Sequence, residues 1–470
     1  MSVVEQFNSE NESAIEAFSA AHRGPVFTPA DAGYDDARGI WNGMVDKRPA
    51  LIARATGVRD VVTSVNFARD NHLPLAVRGG GHNVAGNAVV NDGLVICLEG
   101  MKDVRVDPAR KKAWVGGGAT LGEVDHETQL YGLAAPLGIV SETGVAGLTL
   151  HGGMGYLRRK HGMACDAVTG YEVVTADGRV VWARADENAD LFWALKGGGG
   201  NFGVVTTFEF DLYPIGPEVL MMGVMYPIDR VPEYLKVWRD YMAKSSEHLT
   251  SNFLVWSMPD IPDFGNAAGK DVMIFGGGWT GPIEEGLEAL APLRELETPL
   301  ADLTGPVTYN QLQTAFDPLF GKGQRRNYWK SLYLNSLSDE VIDFAAPRMM
   351  QKPDPWSLVA IWGLGGAHMN VPADATAFGD RSSPFLFSLD TAWEDPAKDE
   401  MATEWARGFW RDMHQFSNGQ AYLNFPGLGE EGHDLLKKTY GAANYERLRD
   451  VKTKWDPKNL FKENQNIPPR

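Results

Sequence analysis

The reactive side chains of this sequence are gathered by glycines. In Arg78-Gly79-Gly80-Gly81-His82-Asn83-Val-Ala-Gly86, a short apolar run ends in one arginine and three glycines and then delivers a histidine. Glycines in series reach positive φ without steric cost and bring backbone N–H groups against a ligand, making a concave cradle for an anion. His82 stands at the lip, placed to contact, to bond to or merely to flank whatever the glycines hold. Two further glycine-rich segments follow in the first half of the chain. They are Gly144-Val-Ala-Gly147 with Gly152-Gly153-Met-Gly155, and Gly197-Gly-Gly-Gly-Asn-Phe-Gly203-Val204. The last contains GxGxxG, but a nicotinamide fingerprint opens the first βαβ unit and has an acidic residue about 20 positions on. Here it comes late and runs straight into a strand at Val204, so the nicotinamide reading is set aside. No HExxH or comparable metal-ligand spacing occurs, and Cys97 and Cys165 form no CxxC.

The elements that must position these segments are legible from period and punctuation. Residues 10 to 24 read as an amphipathic helix. A strand near Leu51, a helix over 58 to 70 and a strand from Leu73 to Val77 lead into the first glycine run. Short strands at 94–98, 104–107 and 112–115 precede a helix with Thr120 as N-cap and Glu123 at its third position. Asp177-Gly178 reads as a hairpin turn between two β-rich runs. From about Pro217 to Gly419, strands carrying Trp and Phe alternate with helices such as 397–415, which indicates an antiparallel α+β unit with an aromatic surface. The last helix ends at Asp456-Pro457.

With 470 residues, two domains are expected. The net charge of −17 argues against a nucleic-acid partner, since a phosphate backbone calls for a basic face. The chain opens with no positive n-region followed by an apolar core, and no run approaches the roughly 20 residues of a membrane span. A cytoplasmic protein with no membrane association is expected.

Several segments together carry a resemblance. These are Arg78 to Asn83, Gly144 to Gly147 with Gly152 to Gly155, Asp166, Glu172 to Gly178, Asp190 to Gly203, Tyr422-Leu-Asn424, and Asp456-Pro-Lys-Asn-Leu-Phe461 followed by Asn464-Gln-Asn466-Ile-Pro468. In that order they resemble the flavin-linked oxidases of the vanillyl-alcohol oxidase superfamily, and within it the berberine-bridge-enzyme-like subgroup of bacterial type. The resemblance implies an α+β, two-domain PCMH-type FAD-binding fold with an antiparallel-sheet substrate domain. Residues 1–215 and 420–470 would form the FAD-binding domain and 216–419 the substrate domain. It further implies FAD with its pyrophosphate on the first two glycine segments, joined covalently to His82 through the 8α-methyl. Arg78, Gly79, Gly80, Gly81, Asn83, Gly86, Thr143, Gly144, Gly147, Gly152, Gly153, Gly155, Gly203, Val204, Tyr422, Asn424, Asn464 and Asn466 would complete the cofactor site.

Many relatives add a second flavin bond through a cysteine. Aligned on Gly144-Val-Ala-Gly147 that position is Val140, so a monocovalent flavin is expected, with Cys165 a packed thiol. Thr143 occupies the position that gates oxygen in the family. His151 stands where the family has a third glycine, and is read as a structural histidine. In plant members a tyrosine after Tyr-x-Asn is the base, but here it is Phe425. On an extended strand Tyr422 and Asn424 would share a face and Phe425 would point away. The catalytic candidates are therefore Tyr422, His368, Asp390 and Tyr328, with Gln311, Trp329 and Lys330 as cleft residues by resemblance.

The function indicated is an oxidase that takes hydride from a small-molecule alcohol, sugar or phenolic substrate, with molecular oxygen giving hydrogen peroxide. A flavin dehydrogenase using another acceptor, and a low-turnover flavin-binding protein, are the alternatives.

Overall fold

The computed structural model describes residues 12–428 and 432–470. Its first helix, Glu12–Ala21, falls within the stretch read at 10–24, of which residues 10 and 11 lie outside the described part. Strand Leu51–Arg54, helix Val58–Asp70 and strand Leu75–Arg78 follow, and both strands pair in parallel with Leu94–Cys97 between them. These strands are covered on both faces, which is why they read as unbroken apolar runs. An antiparallel edge strand, Val26–Phe27, has no counterpart in the sequence reading, because two residues carry no periodicity.

A second sheet holds five antiparallel strands in the order Val104–Asp107, Lys112–Gly116, Val204–Asp211, Val168–Val174, Val180–Ala183. Its hairpin closes at Gly178, whose φ of 82° suits glycine and whose N–H donates to the Thr175 carbonyl at 2.9 Å. Thr120 caps helix Leu121–Gln129 through the reciprocal box, with its N–H donating to Glu123 Oε2 at 2.8 Å. Leu448, Val451 and Trp455 of helix Ala442–Trp455 bury themselves in the core of this sheet, so the end of the chain returns to its first half.

Residues 218 to 393 supply an eight-stranded antiparallel sheet. Side chains alternate across it. Phe253, Val255, Val359, Ile361, Phe387 and Leu389 face one way, into a core closed by helices including Val231–Met242, Asp339–Met349 and Asp399–Met413. Their neighbours Leu254, Trp256, Ala360, Trp362 and Leu386 face the other way, against Met154, Met163 and Tyr422 from outside this sheet. The helix expected at 397–415 begins as a tight turn at Pro396–Lys398 and runs as Asp399–Met413, burying Ala402, Ala406, Phe409 and Met413 on one face.

One buried ion pair ties the sheet to the glycine-rich half. Arg381 donates to both carboxylate oxygens of Asp166, at 2.7 and 2.9 Å. Burial alone would raise the Asp166 pKa, yet the guanidinium holds it below the usual carboxylate value. A lowered native pKa gives stability that is present above the unfolded value and lost as pH falls. Asp166→Asn leaves the Arg381 charge buried and unpaired, and is expected to cost about 3–5 kcal/mol. Urea unfolding at neutral pH checks this, and the difference between mutant and wild type should shrink in acid.

Candidate active site

The floor of the site is a contact between two backbones. A Cβ on Gly80 would lie 2.5 Å from the N and Cα of Gly144, and a Cβ on Gly144 would strike Gly80 in return. Only glycine lets the two segments pass this closely. The crossing puts the loop after strand Leu75–Arg78 beside the start of helix Val145–Leu150. The cavity above it is walled at one end by Gly79, Gly80, Gly81, Gly144, Gly147 and Gly203, with the apolar Leu75, Val77, Val204 and Phe461 beside them. His82, Asn83, Thr143, Tyr422, Asn424 and Asn464 also line it.

Six of the residues expected to hold the cofactor do not line this cavity. Arg78 is buried beneath the loop, with Nη2 donating to Cys97 Sγ at 3.2 Å and 3.6 Å from Glu99, because strand alternation turns it away. Gly86 closes a turn by donating to the Asn83 carbonyl, and a Cβ there would meet Val45. Gly152 and Gly153 have φ of 107° and 86°, and side chains there would meet Phe378 and Met163, or Ala164 and Leu148. Gly155 packs on the Leu137 carbonyl. Asn466 lies in a neighbouring cavity that shares Asn464 and Gln465 with this one.

His82 stacks on Trp41, with centroids 4.2 Å apart and planes at 21°. Burial pushes its pKa down to about 4, so the ring is neutral at neutral pH. Its Nε2 is buried without a hydrogen-bond partner. His151 also lines the cavity, with Nδ1 3.2 Å from the Gly147 carbonyl and Nε2 unpartnered, so it is only half satisfied. Its φ of −109° is ordinary, and the replaced glycine brings no backbone strain.

Of the four catalytic candidates, two face the cavity. Asp390 on strand Phe385–Trp393 sits between Trp329 and Leu358 in register, and all three line the cavity. Burial pushes its pKa up to about 7, with the Ser388 hydroxyl opposing, and its Oδ1 has no partner. The Tyr422 hydroxyl accepts the N–H groups of Gly153 and Met154 at 3.2 Å and of Asn424 Nδ2 at 2.8 Å. Burial raises its pKa to about 12, so it stays a phenol and is not a base at neutral pH.

Tyr328 lies one residue from Trp329 and therefore on the helix-covered face, where it accepts a hydrogen bond from Arg407 Nε at 3.2 Å. Lys330 shares that face, with Nζ 4.5 Å from the Trp410 ring. His368 is fully buried against Phe378, and burial takes its pKa to about 3. It is a packed residue outside the cavity. Gln311 caps helix Tyr309–Thr314, its backbone N–H bonded to Thr308 Oγ1, and lies outside the cavity too.

Residues 422–425 form a turn in place of the expected extended strand, with Phe425 N–H donating to the Tyr422 carbonyl at 2.8 Å. The turn brings Phe425 onto the same cavity, 5.1 Å from the Tyr422 ring. Sequence reasoning missed Asn252, Phe316, Phe320 and Gln465 here. Strand parity counted from Asp390 through a known register would have found Asn252, but no register is visible in a single sequence.

The donor set suits a flavin dinucleotide. A glycine-walled lobe with apolar sides matches the nucleotide and diphosphate. The buried unpartnered atoms His82 Nε2, His151 Nε2, Asn464 Oδ1 and Gln465 Oε1 match the polar groups of a ring system. Among the described residues no cluster could hold a metal ion, and no helix is long and apolar enough to cross a membrane.

Known proteins agree. Residues 49–184 match the model of an FAD binding domain, and residues 421–468 that of berberine and berberine-like proteins. The FAD-linked oxidoreductase YgaK of Bacillus subtilis is 31% identical over 452 residues, 95% of this chain and 97% of that protein. (R)-6-hydroxynicotine oxidase of Paenarthrobacter nicotinovorans is 30% identical over 458 residues, 95% of this chain and 97% of its own length. Among solved structures, 6-hydroxy-D-nicotine oxidase of Arthrobacter nicotinovorans superposes with a TM-score of 0.85 at 28% identity, covering 96% of this chain and 98% of that one. A chitooligosaccharide oxidase shares the fold, with a TM-score of 0.86 at 22% identity over 97% of this chain and all of its own, 100%. The fold is thus the PCMH-type FAD-binding one, with a second unit rich in antiparallel sheet.

Gly80→Ala forces apart the two segments that wall the glycine-lined end of the cavity. The purified variant is expected to hold less than about a tenth of the wild-type flavin, read as visible absorbance per protein.

Proposed function

Because this chain belongs to the FAD-linked oxidoreductases with a berberine-like C-terminal segment, we propose that it oxidises an alcohol, sugar or phenolic substrate with Asp390 as the general base. The observation that carries this reading is Asp390 itself. It is a carboxylate in an aromatic-walled cavity, held near neutral pKa by burial, with one oxygen unpartnered. When bound, FAD supplies the acceptor for a hydride and passes both electrons to a second acceptor. Asp390 takes the hydroxyl proton of the substrate as the C–H hydrogen departs with its electron pair, leaving a carbonyl. Trp329, Trp362 and Phe425 exclude water and hold the substrate's carbon frame. Tyr422, its oxygen already accepting three N–H groups, keeps Asn424 and the Gly153 turn in place. The proposed acceptor is molecular oxygen, giving hydrogen peroxide, and Thr143 is at the cavity wall.

We further propose that His82 carries the flavin through its 8α position as the single covalent link. A neutral imidazole keeps a nitrogen lone pair for bond formation, and the Trp41 stack holds the ring still. Val140 lines the cavity where a second link would need a thiol, and neither cysteine lines it.

Two measurements test these assignments. With an alcohol found by anaerobic bleaching, kcat/KM should rise with pH through about 7 and level off above it, since the base works deprotonated. Asp390→Asn should lower kcat about 100- to 10,000-fold and remove that limb; an unchanged profile would reject Asp390. Acid-precipitated wild type should stay yellow, while His82→Ala releases its colour to the supernatant. Peroxide formed in step with substrate consumption marks oxygen as the acceptor.

A further inference from the structure

Arg158 opens the short helix Arg158–His161, is fully buried, and forms no salt bridge among the described residues. Its charge is spent on carbonyls. Nε and Nη2 donate to the Gly363 carbonyl at 3.1 and 2.8 Å, and Nη1 donates to the Gly155 carbonyl at 3.1 Å. Nη2 also donates to the Ser251 carbonyl at 3.2 Å and to Asn252 Oδ1 at 2.5 Å. A guanidinium has donors and no acceptor, so the atom of Asn252 facing it must be the amide oxygen. Asn252 lines the cavity, and among the described residues its amide nitrogen has no hydrogen-bond partner. The side chain is therefore held with a donor to offer.

Asn252 is opposite Trp362 on the neighbouring strand, and the Trp362 ring is fixed from two sides. Arg158 sits 5.3 Å from its centroid, and its Nε1 donates to Ser388 Oγ at 3.1 Å. Asp390 is opposite Leu358, four residues along that same strand from Trp362 and one strand further across. Strand spacing and rise then set the Asn252 and Asp390 backbones about 16 Å apart. Trp362 stands beside Asn252 and Trp329 beside Asp390 on its far side, with the Phe425 ring 6.0 and 5.3 Å from their ring centroids. One small ring cannot reach both polar ends, whereas two linked rings can.

We propose that Asn252, held by Arg158, is the specificity-determining donor for the far end of the substrate. The preferred substrate is then a molecule of two linked rings, with the hydroxyl to be oxidised at one end and a neutral hydrogen-bond acceptor at the other. This rests on Asp390 as the base at the near end. Arg158 acts as a positioning residue, through the orientation it imposes on the Asn252 amide.

The test compares 4-phenylbenzyl alcohol with 4-(4-pyridyl)benzyl alcohol, which have the same shape and differ by one distal acceptor nitrogen. Dissociation constants of the flavin-loaded protein come from the concentration dependence of anaerobic bleaching, or of the flavin spectral shift where no bleaching occurs. Wild type should bind the pyridyl alcohol about tenfold more tightly. Asn252→Leu should abolish that preference by weakening the pyridyl compound alone. Arg158→Lys, which keeps the charge but loses the fork, should reduce the ratio of the two dissociation constants. Equal binding in wild type, binding of neither alcohol, or a preference that survives Asn252→Leu would overturn the proposal. The expected preference without any bleaching would support it while rejecting Asp390 as the base for these alcohols.

Discussion

Two chain segments touch backbone to backbone at Gly80 and Gly144, and everything else in the site is arranged around that contact. A side chain at either position would part the segments and remove the floor of the cavity. Because the floor is made of main chain, it can lie close to a ligand without presenting a bulky group of its own. The selective groups are brought in from elsewhere. His82 comes from the loop just beyond, Asn464 and Gln465 from near the C-terminus, and Asp390 from the large sheet.

The large sheet contributes through parity. Consecutive residues on a strand look in opposite directions, so a single position separates Trp329 in the cavity from Tyr328 against the helices. The same rule separates Asp390 from the core residue Leu389. The sheet thereby serves two cores at once: an apolar one under its helices, and an aromatic one that meets the glycine-rich half. Arg158 joins the halves at one point and the Asp166–Arg381 pair at another.

Much of this is written locally and is legible from the sequence. The capping box at Thr120, the turn at Asp177-Gly178 and the strand that feeds Gly79 depend on neighbours a few residues away. So does the apolar face of helix Asp399–Met413. What the sequence does not carry is register and long-range pairing. Tyr328 and Lys330 are plausible cleft residues by type, and only the pairing of their strand shows that they face the helices. Alternation along a strand places Phe425 on the wrong side, because a turn replaces the strand and no pattern around Tyr422 announces it. His368 has the chemistry of a catalyst and the surroundings of a packed core residue. Arg158 is inconspicuous among the basic residues around it, and its importance comes from what the two strands carrying Ser251 and Asn252, and Trp362 and Gly363, place beside it.

The Tyr422 hydroxyl accepts N–H groups from Gly153 and Met154, which lie 269 and 268 positions earlier in the chain. Asn424 reaches back as far, to the Leu148 carbonyl. During synthesis the glycine cradle leaves the ribosome long before the residues that brace and close it. A nascent chain stopped short of Tyr422 would have a floor with no roof, and the cofactor could not be locked in by the fold while translation was still under way.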